Sequence, residues 1–295
     1  MRDTFSTYHP IINFTYFFAV ILFSMIFLHP ILLGISMTGA FVYSLFLNGK
    51  RGLRFILFFV LPMMLVAGMV NPLFNHRGAT ILGYLRDNPI TLESILYGVA
   101  VGVMFGTVLL WFSCYNTVMT SDKFMYIFGK IMPALSLIFS MVLRFVPRFR
   151  ARIQVISNGR KCLGRDMSGG NLRERIQNGI KILSIMITWS LENAIETADS
   201  MRARGYGLPG RTSFSIYRFD TRDKGIFVCL LIFIMYIGIG GILGWNVVQY
   251  FPSFYIIENG VFSILGFTIY FLLCFTPIII NLWEGIRWKY LQSRI

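Results

Sequence analysis

The sequence contains few acidic residues and few of the side chains from which catalytic and metal sites are usually built. Asp and Glu together number 13, against 27 Lys and Arg, so the formal net charge is +14. The three histidines, His9, His29 and His76, lie far apart, and the four cysteines show no paired spacing. These patterns argue against a metal site, a disulfide framework and a clustered catalytic site. No glycine-rich phosphate loop with its lysine occurs, so we expect that the chain does not hydrolyse ATP.

Apolar side chains, by contrast, are abundant and occur in long runs. Hydrophobic residues make up 56% of the chain and the mean hydropathy is +0.66, whereas about 45–50% hydrophobic residues is usual in soluble domains. Each of six apolar runs approaches the ~20 residues that a helix needs to cross a bilayer. The runs are 11–28, 31–47, 53–70, 92–113, 226–247 and 261–282. The sequence therefore predicts an all-α integral membrane protein with about six transmembrane helices.

The distribution of basic residues predicts how these helices are oriented. If both termini are cytoplasmic, 25 of the 27 Lys and Arg residues lie on the cytoplasmic side and only Arg77 and Arg86 lie outside. Because basic residues are retained on the cytoplasmic side, this orientation is preferred over its opposite. The tail from Trp283 to Ile295 adds aromatic and basic residues suited to an interface anchor. The topology accounts for the positive charge, and we therefore expect no nucleic-acid partner.

Glycines and prolines inside the runs predict local packing and bends. Gly98, Gly102 and Gly106 recur at four-residue spacing, which is typical of a face where two membrane helices pack closely. The alternative is an incidental series of glycines in a membrane helix. Pro62 lies inside the third run, and we expect a kink there.

The chain divides by composition into three parts: 1–113, 114–224 and 225–295. The middle part contains eighteen basic and eight acidic residues. It is too long to lack structure of its own, so we interpret it as a cytosolic helical region between the N-terminal and C-terminal membrane helices. Long amphipathic helices at the cytoplasmic surface fit its short, interrupted apolar stretches. A re-entrant or steeply tilted pair of membrane helices is the alternative.

Two long helices are predicted in this middle part. The first begins at about Lys123 or Pro133 and ends at Leu163, and the second runs from about Asn171 to Arg204. Apolar residues recur at three- or four-residue steps in both, which predicts one apolar face on each helix. In the first helix these residues are Leu135, Ile138, Val142, Phe145, Phe149, Ile153 and Ile156.

The second helix ends in a basic sequence that is rich in glycine. Gly205, Gly207, Pro209 and Gly210 are expected to stop the helix. Arg202 and Arg204 then lie in its last turn, where the helix dipole favours cations. Such an end is a rigid, positively charged tip. The alternative is a basic helix end without a function of its own.

Two short blocks in this region resemble signatures of a known family. The block 143–147, which contains Arg144, Phe145 and Pro147, resembles the LRF-hydrophobic-P block of the transmembrane T component of energy-coupling factor transporters. The block 198–207 resembles the second Ala-Arg-Gly signature of the same family. Both occur in the family's order and between membrane spans. The resemblance implies that Arg144, Phe145 and Pro147 belong to the core of a coupling helix, and Pro147 should also bend that helix.

The resemblance implies a mechanical and non-enzymatic role. The family's transporters are bacterial ABC-type importers of vitamins and metal ions, located in the cell membrane. Their T component joins two cytosolic ATPase subunits to a small substrate-binding membrane protein, the S component. By this resemblance the chain would transmit ATP-driven motion to an S component and would need no cofactor. The S component would carry the substrate site, so this chain does not identify the substrate.

The resemblance also places ATPase-docking residues at the ends of both long helices. The expected docking residues are Arg160, Lys161, Leu163, Gly164, Arg202, Ala203, Arg204 and Gly205. At the second tip, Arg204 and its glycine match the family. At the first tip, Leu163 stands where the family has arginine, although Arg160, Lys161 and Arg165 lie close by as candidate substitutes. The two tips are therefore expected to dock unequally.

Two other classes of function compete with this interpretation. A self-contained transporter or channel is expected to carry ionisable residues inside its spans, and the six runs contain almost none, with Glu93 only at a boundary. An integral membrane enzyme is expected to cluster His, Asp or Glu, or to pair a nucleophile with a base. The isolated histidines do not supply such a site.

Overall fold

The computed structural model describes residues 3–85, 88–129, 132–164, 171–209, 217–258 and 260–292. These residues are mostly helical, which confirms the predicted all-α membrane class. The chain separates into two compact units. The first, here called the membrane unit, consists of Met1–Phe124 and Tyr217–Ile295. The second, here called the insert, is Met125–Ile216.

The helices of the membrane unit contain all six predicted apolar runs or most of each. They are α1 (Pro10–Ile26), α2 (Pro30–Phe55), α3 (Leu61–Phe74), α4 (Leu92–Val118), α8 (Thr221–Ile242) and α9 (Val261–Gln292). A short helix α5 (Ser121–Gly129) crosses the boundary between the units, and the insert contains α6 (Pro133–Cys162) and α7 (Leu172–Ala203). Many side chains on the outer surface of the membrane unit are large and apolar, among them Phe58 (74% exposed) and Ile242 (88% exposed). Such a surface is suited to lipid and not to water.

Two of the isolated histidines begin helices. The side chain of His9 accepts a hydrogen bond from the Ile11 N–H at 3.3 Å, and that of His29 accepts one from the Ile31 N–H at 3.2 Å. A proline follows each histidine at the first helical position, where its fixed φ suits the helix and its missing N–H costs nothing. These histidines therefore have a structural role at helix starts.

The second and third predicted spans form one helical stretch, Pro30–Phe74, which is 45 residues long. Between these two runs the helix continues with a break, where Gly49 adopts φ 53° and ψ −129°. A π-helical turn, Ile56–Val60, then comes directly before α3, whose second residue is Pro62. By length and composition four helical stretches could cross a membrane, and α1 is a shorter apolar helix of 17 residues among the described residues. Six crossings stay a prediction.

The glycine face of α4 packs directly against α3, which decides between the two interpretations of the glycine spacing. A Cβ at Gly102 would lie 2.6 Å from the carbonyl oxygen of Met64, and a Cβ at Gly98 would overlap the carbonyl oxygen of Gly68. Only residues without a side chain let the two backbones approach this closely. The spacing of the glycines therefore reports a helix contact and is not incidental.

A chain of polar groups lies inside the apolar core of the membrane unit. The indole N–H of Trp111 donates to Ser36 Oγ at 2.9 Å, and Ser36 Oγ lies 2.7 Å from Ser24 Oγ. Tyr270 Oη lies 3.3 Å from Ser24 Oγ. All four residues are buried, and their mutual hydrogen bonds remove the cost of leaving polar atoms unpaired in an apolar core. The network joins α1, α2, α4 and α9.

Two antiparallel hairpins, which the sequence did not predict, lie at one end of the membrane unit. They pair β1 (Ile81–Leu85) with β2 (Asn88–Thr91), and β3 (Asn246–Gln249) with β4 (Tyr255–Glu258). The segments around the hairpins meet where the Ala79 N–H donates to the Pro252 carbonyl at 3.0 Å. α8 ends earlier than its apolar run because Gly244 adopts φ 71° and turns the chain toward β3.

Candidate functional site

Helix α7 has a defined start and a defined end. At its start the Leu172 N–H donates to Asn171 Oδ1 at 2.8 Å, and Glu174 completes a capping box. At its end the Gly205 N–H donates to the Arg202 carbonyl and the Tyr206 N–H donates to the Met201 carbonyl, both at 3.0 Å. This pair of bonds is a Schellman motif, and it requires the left-handed φ of 80° that Gly205 adopts.

The basic tip of α7 is exposed. Arg204 occupies the C-cap position with φ −86° and ψ 10°, directly before Gly205. Arg202, Ala203 and Arg204 are all exposed, and no carboxylate among the described residues forms an ion pair with either arginine. Both guanidinium groups are therefore open to a partner.

The tip of α6 has the same backbone geometry with a different side chain. α6 ends at Cys162, and Leu163 occupies the C-cap position with φ −89° and ψ 10°. The Gly164 N–H donates to the Lys161 carbonyl at 2.9 Å, and Gly164 adopts φ 71°. Leu163 of α6 is thus the positional equivalent of Arg204 of α7, and its side chain is 77% exposed. Arg165, a candidate substitute for the missing arginine, lies outside the described residues.

The two long helices of the insert run antiparallel. Arg160 of α6 donates to Asn178 Oδ1 of α7 at 2.8 Å, whereas Phe149 of α6 meets Trp189 of α7 with ring centroids 5.7 Å apart. Residue numbers therefore increase along α6 in the direction in which they decrease along α7. The α6 tip lies near the start of α7, so the two tips lie at opposite ends of the pair, about 40 Å apart at 1.5 Å per residue.

Trp189 is the centre of the contact between α6 and α7. Its ring meets Phe149 edge to face at 71°, and the guanidinium carbons of Arg148 and Arg152 lie 5.9 Å and 5.3 Å from the ring centroid. Both arginines can therefore add a cation–π attraction to the aromatic contact. Phe145 stacks on Phe149 at 5.8 Å and extends this contact along α6.

The remaining residues of the predicted coupling-helix core lie on the surface of α6. Arg144 and Pro147 are exposed, and α6 continues as one helix through Pro147. The apolar stripe of α6 is also largely exposed, as at Ile138 (53%) and Val142 (49%). Sequence reasoning singled out this stripe but missed Trp189, because the periodicity of one helix does not show which residue of the other helix it meets.

We expect the substitution Trp189→Ala to loosen the helix pair of the insert. It removes the edge-to-face contact with Phe149 and both cation–π contacts, together worth about 1–2 kcal/mol. Hydrogen–deuterium exchange of the amides of α6 and α7 near the contact should then accelerate by roughly tenfold. Trp189→Phe should change exchange less, and Trp283→Ala in α9 should leave it unchanged. Equal exchange in Trp189→Ala and the unmodified protein would show that Trp189 does not hold the pair together.

The boundary acid and the cysteines have defined surroundings in the structure. Glu93, the acid at a span boundary, accepts hydrogen bonds from the Thr80 N–H at 3.2 Å and from the Thr80 hydroxyl. It therefore tethers the loop before β1 to the start of α4. Within the described part of the chain, no group of three or more His, Cys, Asp or Glu side chains could hold a metal ion. The four cysteines are free, with Cys114 and Cys274 buried.

A bundle of long apolar helices with a basic, two-helix insert defines a multi-pass membrane protein. The family of the cobalt transport protein CbiQ matches residues 7–216, and the chain belongs to this family of transmembrane T components of energy-coupling factor transporters.

Similar proteins carry names that agree with this family. The energy-coupling factor transporter transmembrane protein EcfT 1 of Listeria monocytogenes serotype 1/2a (strain 08-5578) is 28% identical over 214 residues, which cover 68% of this chain and 76% of that protein. EcfT of Streptococcus thermophilus (strain ATCC BAA-250 / LMG 18311) is 28% identical over 205 residues, or 64% of this chain and 78% of the relative. EcfT of Lactococcus lactis subsp. cremoris (strain MG1363) is 34% identical over 99 residues, which cover 33% of this chain and 37% of that protein.

Proposed function

We propose that this chain is the coupling subunit of an importer that takes up a vitamin or a metal ion. In this proposal two cytosolic ATPase subunits bind the two tips of the insert and an S component binds the substrate. The chain transmits the ATP-driven motion between them and does not itself catalyse a reaction. The observation that carries the proposal is the pair of equivalent C-cap tips at opposite ends of the antiparallel helices.

The chemistry of the α7 tip supports docking on an acidic groove of an ATPase. An arginine guanidinium makes charge-assisted and often bidentate hydrogen bonds to a carboxylate. Gly205 turns the chain away directly after Arg204 and carries no side chain that would hold the partner's backbone at a distance. The separation of about 40 Å between the tips gives room for one ATPase subunit at each.

The shape of the insert supports the transmission of motion. α6 and α7 contain 30 and 32 residues, so each is about 45–48 Å long at 1.5 Å per residue. The Trp189 contact joins the two helices between their tips, so that a displacement of one helix is passed to the other. The exposed apolar stripe of α6 is a surface for the S component in this proposal, since a partner would remove it from water.

The proposed location of the insert follows from charge. With both termini in the cytoplasm, the basic region 114–224 and its tips lie on the side where ATPase subunits can reach them. The membrane helices on either side, in 1–113 and 225–295, then hold the insert at the cytoplasmic face of a bacterial cell membrane.

Affinity purification in a mild detergent tests the proposal directly. The tagged chain should copurify with two ATPase subunits and one small membrane protein. Uptake by the purified chain alone in proteoliposomes, without any ATPase, would instead establish a self-contained transporter and overturn the proposal.

We expect the substitution Leu163→Ala to weaken ATPase binding less than Arg204→Ala does. Leu163 occupies the equivalent C-cap position but offers only an apolar contact, so its removal costs no charged hydrogen bond. The amounts of each ATPase retained by the tagged variants, measured side by side, give the ranking. A greater loss with Leu163→Ala would reject the equivalence of the two tips in docking.

A further inference from the structure

The N-terminal segment Asp3–His9 lies at the end of the membrane unit where the insert joins it. The membrane unit stops at Phe124 and resumes at Tyr217, and we call these two places the leading and the trailing junction. Phe5, at the centre of the segment, is fully buried, with its ring 5.1 Å from that of Tyr16. The segment is therefore part of the core and not a loose terminus.

The segment is fixed to membrane helices on both sides. Asp3 Oδ2 accepts a hydrogen bond from the Tyr43 hydroxyl of α2 at 3.0 Å, and Asp3 Oδ1 accepts one from Asn281 Nδ2 of α9 at 2.6 Å. The Thr4 N–H donates to Asn281 Oδ1 at 2.7 Å. These bonds give the segment a rigid base on helices distant from each other in the sequence.

The leading junction is bound to this segment through Lys123. Its ammonium group donates to the Ser6 carbonyl at 2.5 Å and to the Val118 carbonyl at 3.0 Å. Lys123 is buried, so these hydrogen bonds satisfy a charge that would otherwise be costly to bury. Burial lowers the pKa of Lys123, and the Asp3 carboxylate nearby opposes this shift.

The trailing junction is bound to the same segment through Tyr8 and His9. Arg222 Nε donates to the Tyr8 hydroxyl at 2.7 Å, and the guanidinium carbon lies 4.3 Å from the Tyr8 ring centroid. Arg222 also forms an ion pair with Glu284 of α9. The His9 ring meets the Phe219 ring with centroids 4.9 Å apart.

We propose that Asp3–His9 is a clamp that holds the two junctions of the insert together, with Lys123 and Arg222 as its positioning residues. This proposal rests on the proposed coupling function. Two independently mobile junctions would absorb a displacement of the insert, whereas two junctions fixed to one buried segment pass it on to α2 and α9. The clamp is thus a requirement for efficient coupling and not for binding of the ATPases.

Distance measurements between spin labels test whether the clamp holds the junctions. Labels at the exposed positions Ser121 and Arg218 report the separation of the junctions in the full complex, after the exposed Cys162 and Cys229 are replaced by serine. Lys123→Met removes the donor to Ser6, and Tyr8→Phe removes the acceptor for Arg222 but keeps the ring. We expect each to broaden the distance distribution, and the double variant to broaden it further.

Matched controls separate the clamp from a general loss of structure. Thr7→Val changes an exposed residue of the same segment whose hydroxyl bonds only within the segment, to the Thr4 carbonyl, and should leave the distribution unchanged. Lys123→Arg keeps a cation and should restore most of the narrow distribution. Since the clamp variants stay folded in this proposal, their elution in size-exclusion chromatography should match that of the unmodified complex.

The coupling ratio tests what the clamp does. In the reconstituted transporter, the double variant should move about fivefold less substrate per ATP hydrolysed than the unmodified complex, while retaining its ATPase subunits. Unchanged label distances would overturn the clamp. Broadened distances with an unchanged coupling ratio would overturn its mechanical role and leave the proposed function intact. Failure of the unmodified chain to copurify with ATPases would instead count against the proposed function.

Discussion

The substitution Arg204→Glu should detach an ATPase subunit from the purified complex and abolish most of the coupled uptake. In the proposed function Arg204 pairs with a carboxylate of the partner, and the substitution places a second negative charge against it. Losing one partner of a desolvated charge pair costs about 3 kcal/mol or more, which is on the order of 100-fold in affinity. Arg204→Ala should also weaken ATPase binding, but by less, because it leaves the partner's carboxylate unpaired without placing a negative charge against it.

The fold of the insert should survive this substitution. The Schellman motif that ends α7 is made by the backbone of Arg202, Gly205, Tyr206 and Met201, and the exposed Arg204 side chain takes no part in it. The melting temperature of Arg204→Glu should therefore stay close to that of the unmodified protein.

A control of equal charge is available on the other helix of the insert. Arg150 is exposed near the middle of α6, away from both tips. Arg150→Glu changes the net charge by the same amount, so ATPase retention by this variant reports any effect of charge alone. Unchanged uptake and unchanged copurification in Arg204→Glu would refute the docking role of the α7 tip.

The substitution Gly102→Leu should strongly destabilise the membrane unit. Its Cβ would lie 2.6 Å from the Met64 carbonyl oxygen and 3.3 Å from the Gly68 nitrogen, and both atoms belong to the backbone of α3. Because a backbone cannot rotate aside as a side chain can, the two helices must separate. Overpacking of this kind costs about 3 kcal/mol, which corresponds to a fall of roughly 5–10 °C in melting temperature.

The matched control is Gly34→Leu in α2. A Cβ at Gly34 has no atom within 4 Å, so the larger side chain has open space on an exposed face. Melting curves of both variants in the same detergent separate the effect of close packing from that of replacing a helical glycine. A similar fall in both would show that the contact between α3 and α4 does not decide stability.

Much of the fold was predictable because it depends on local patterns. Hydropathy predicted the long apolar helices, and the glycine spacing predicted the face of α4 that meets α3. Gly205 predicted the end of α7, since only a residue without a side chain adopts its φ of 80° at little cost. The exposed state of Arg204 follows from its place at the helix end.

Other features were not predictable from the sequence. The hairpins near 81–91 and 246–258 lie almost entirely between the predicted apolar runs, and hydropathy did not reveal them because short strands depend on pairing between segments. The second and third predicted spans form one helical stretch with a break at Gly49, because hydropathy does not show whether a helix continues between two apolar runs. Leu163 and Arg204 occupy equivalent C-cap positions because their φ and ψ angles are nearly the same, and these angles are known only from the structure.

The sequence by itself determined that this chain is a helical membrane protein with a basic insert, which segments are apolar enough for membrane helices, and that Arg204 lies at the end of a helix. Only the tertiary structure decided that Trp189 joins α6 to α7 and that Asp3–His9 holds both junctions of the insert. The physical reason is the range of the interactions. Periodicity and capping act within a few turns of one helix, whereas the bond between Asp3 and Asn281 joins residues 278 positions apart and depends on how the helices pack.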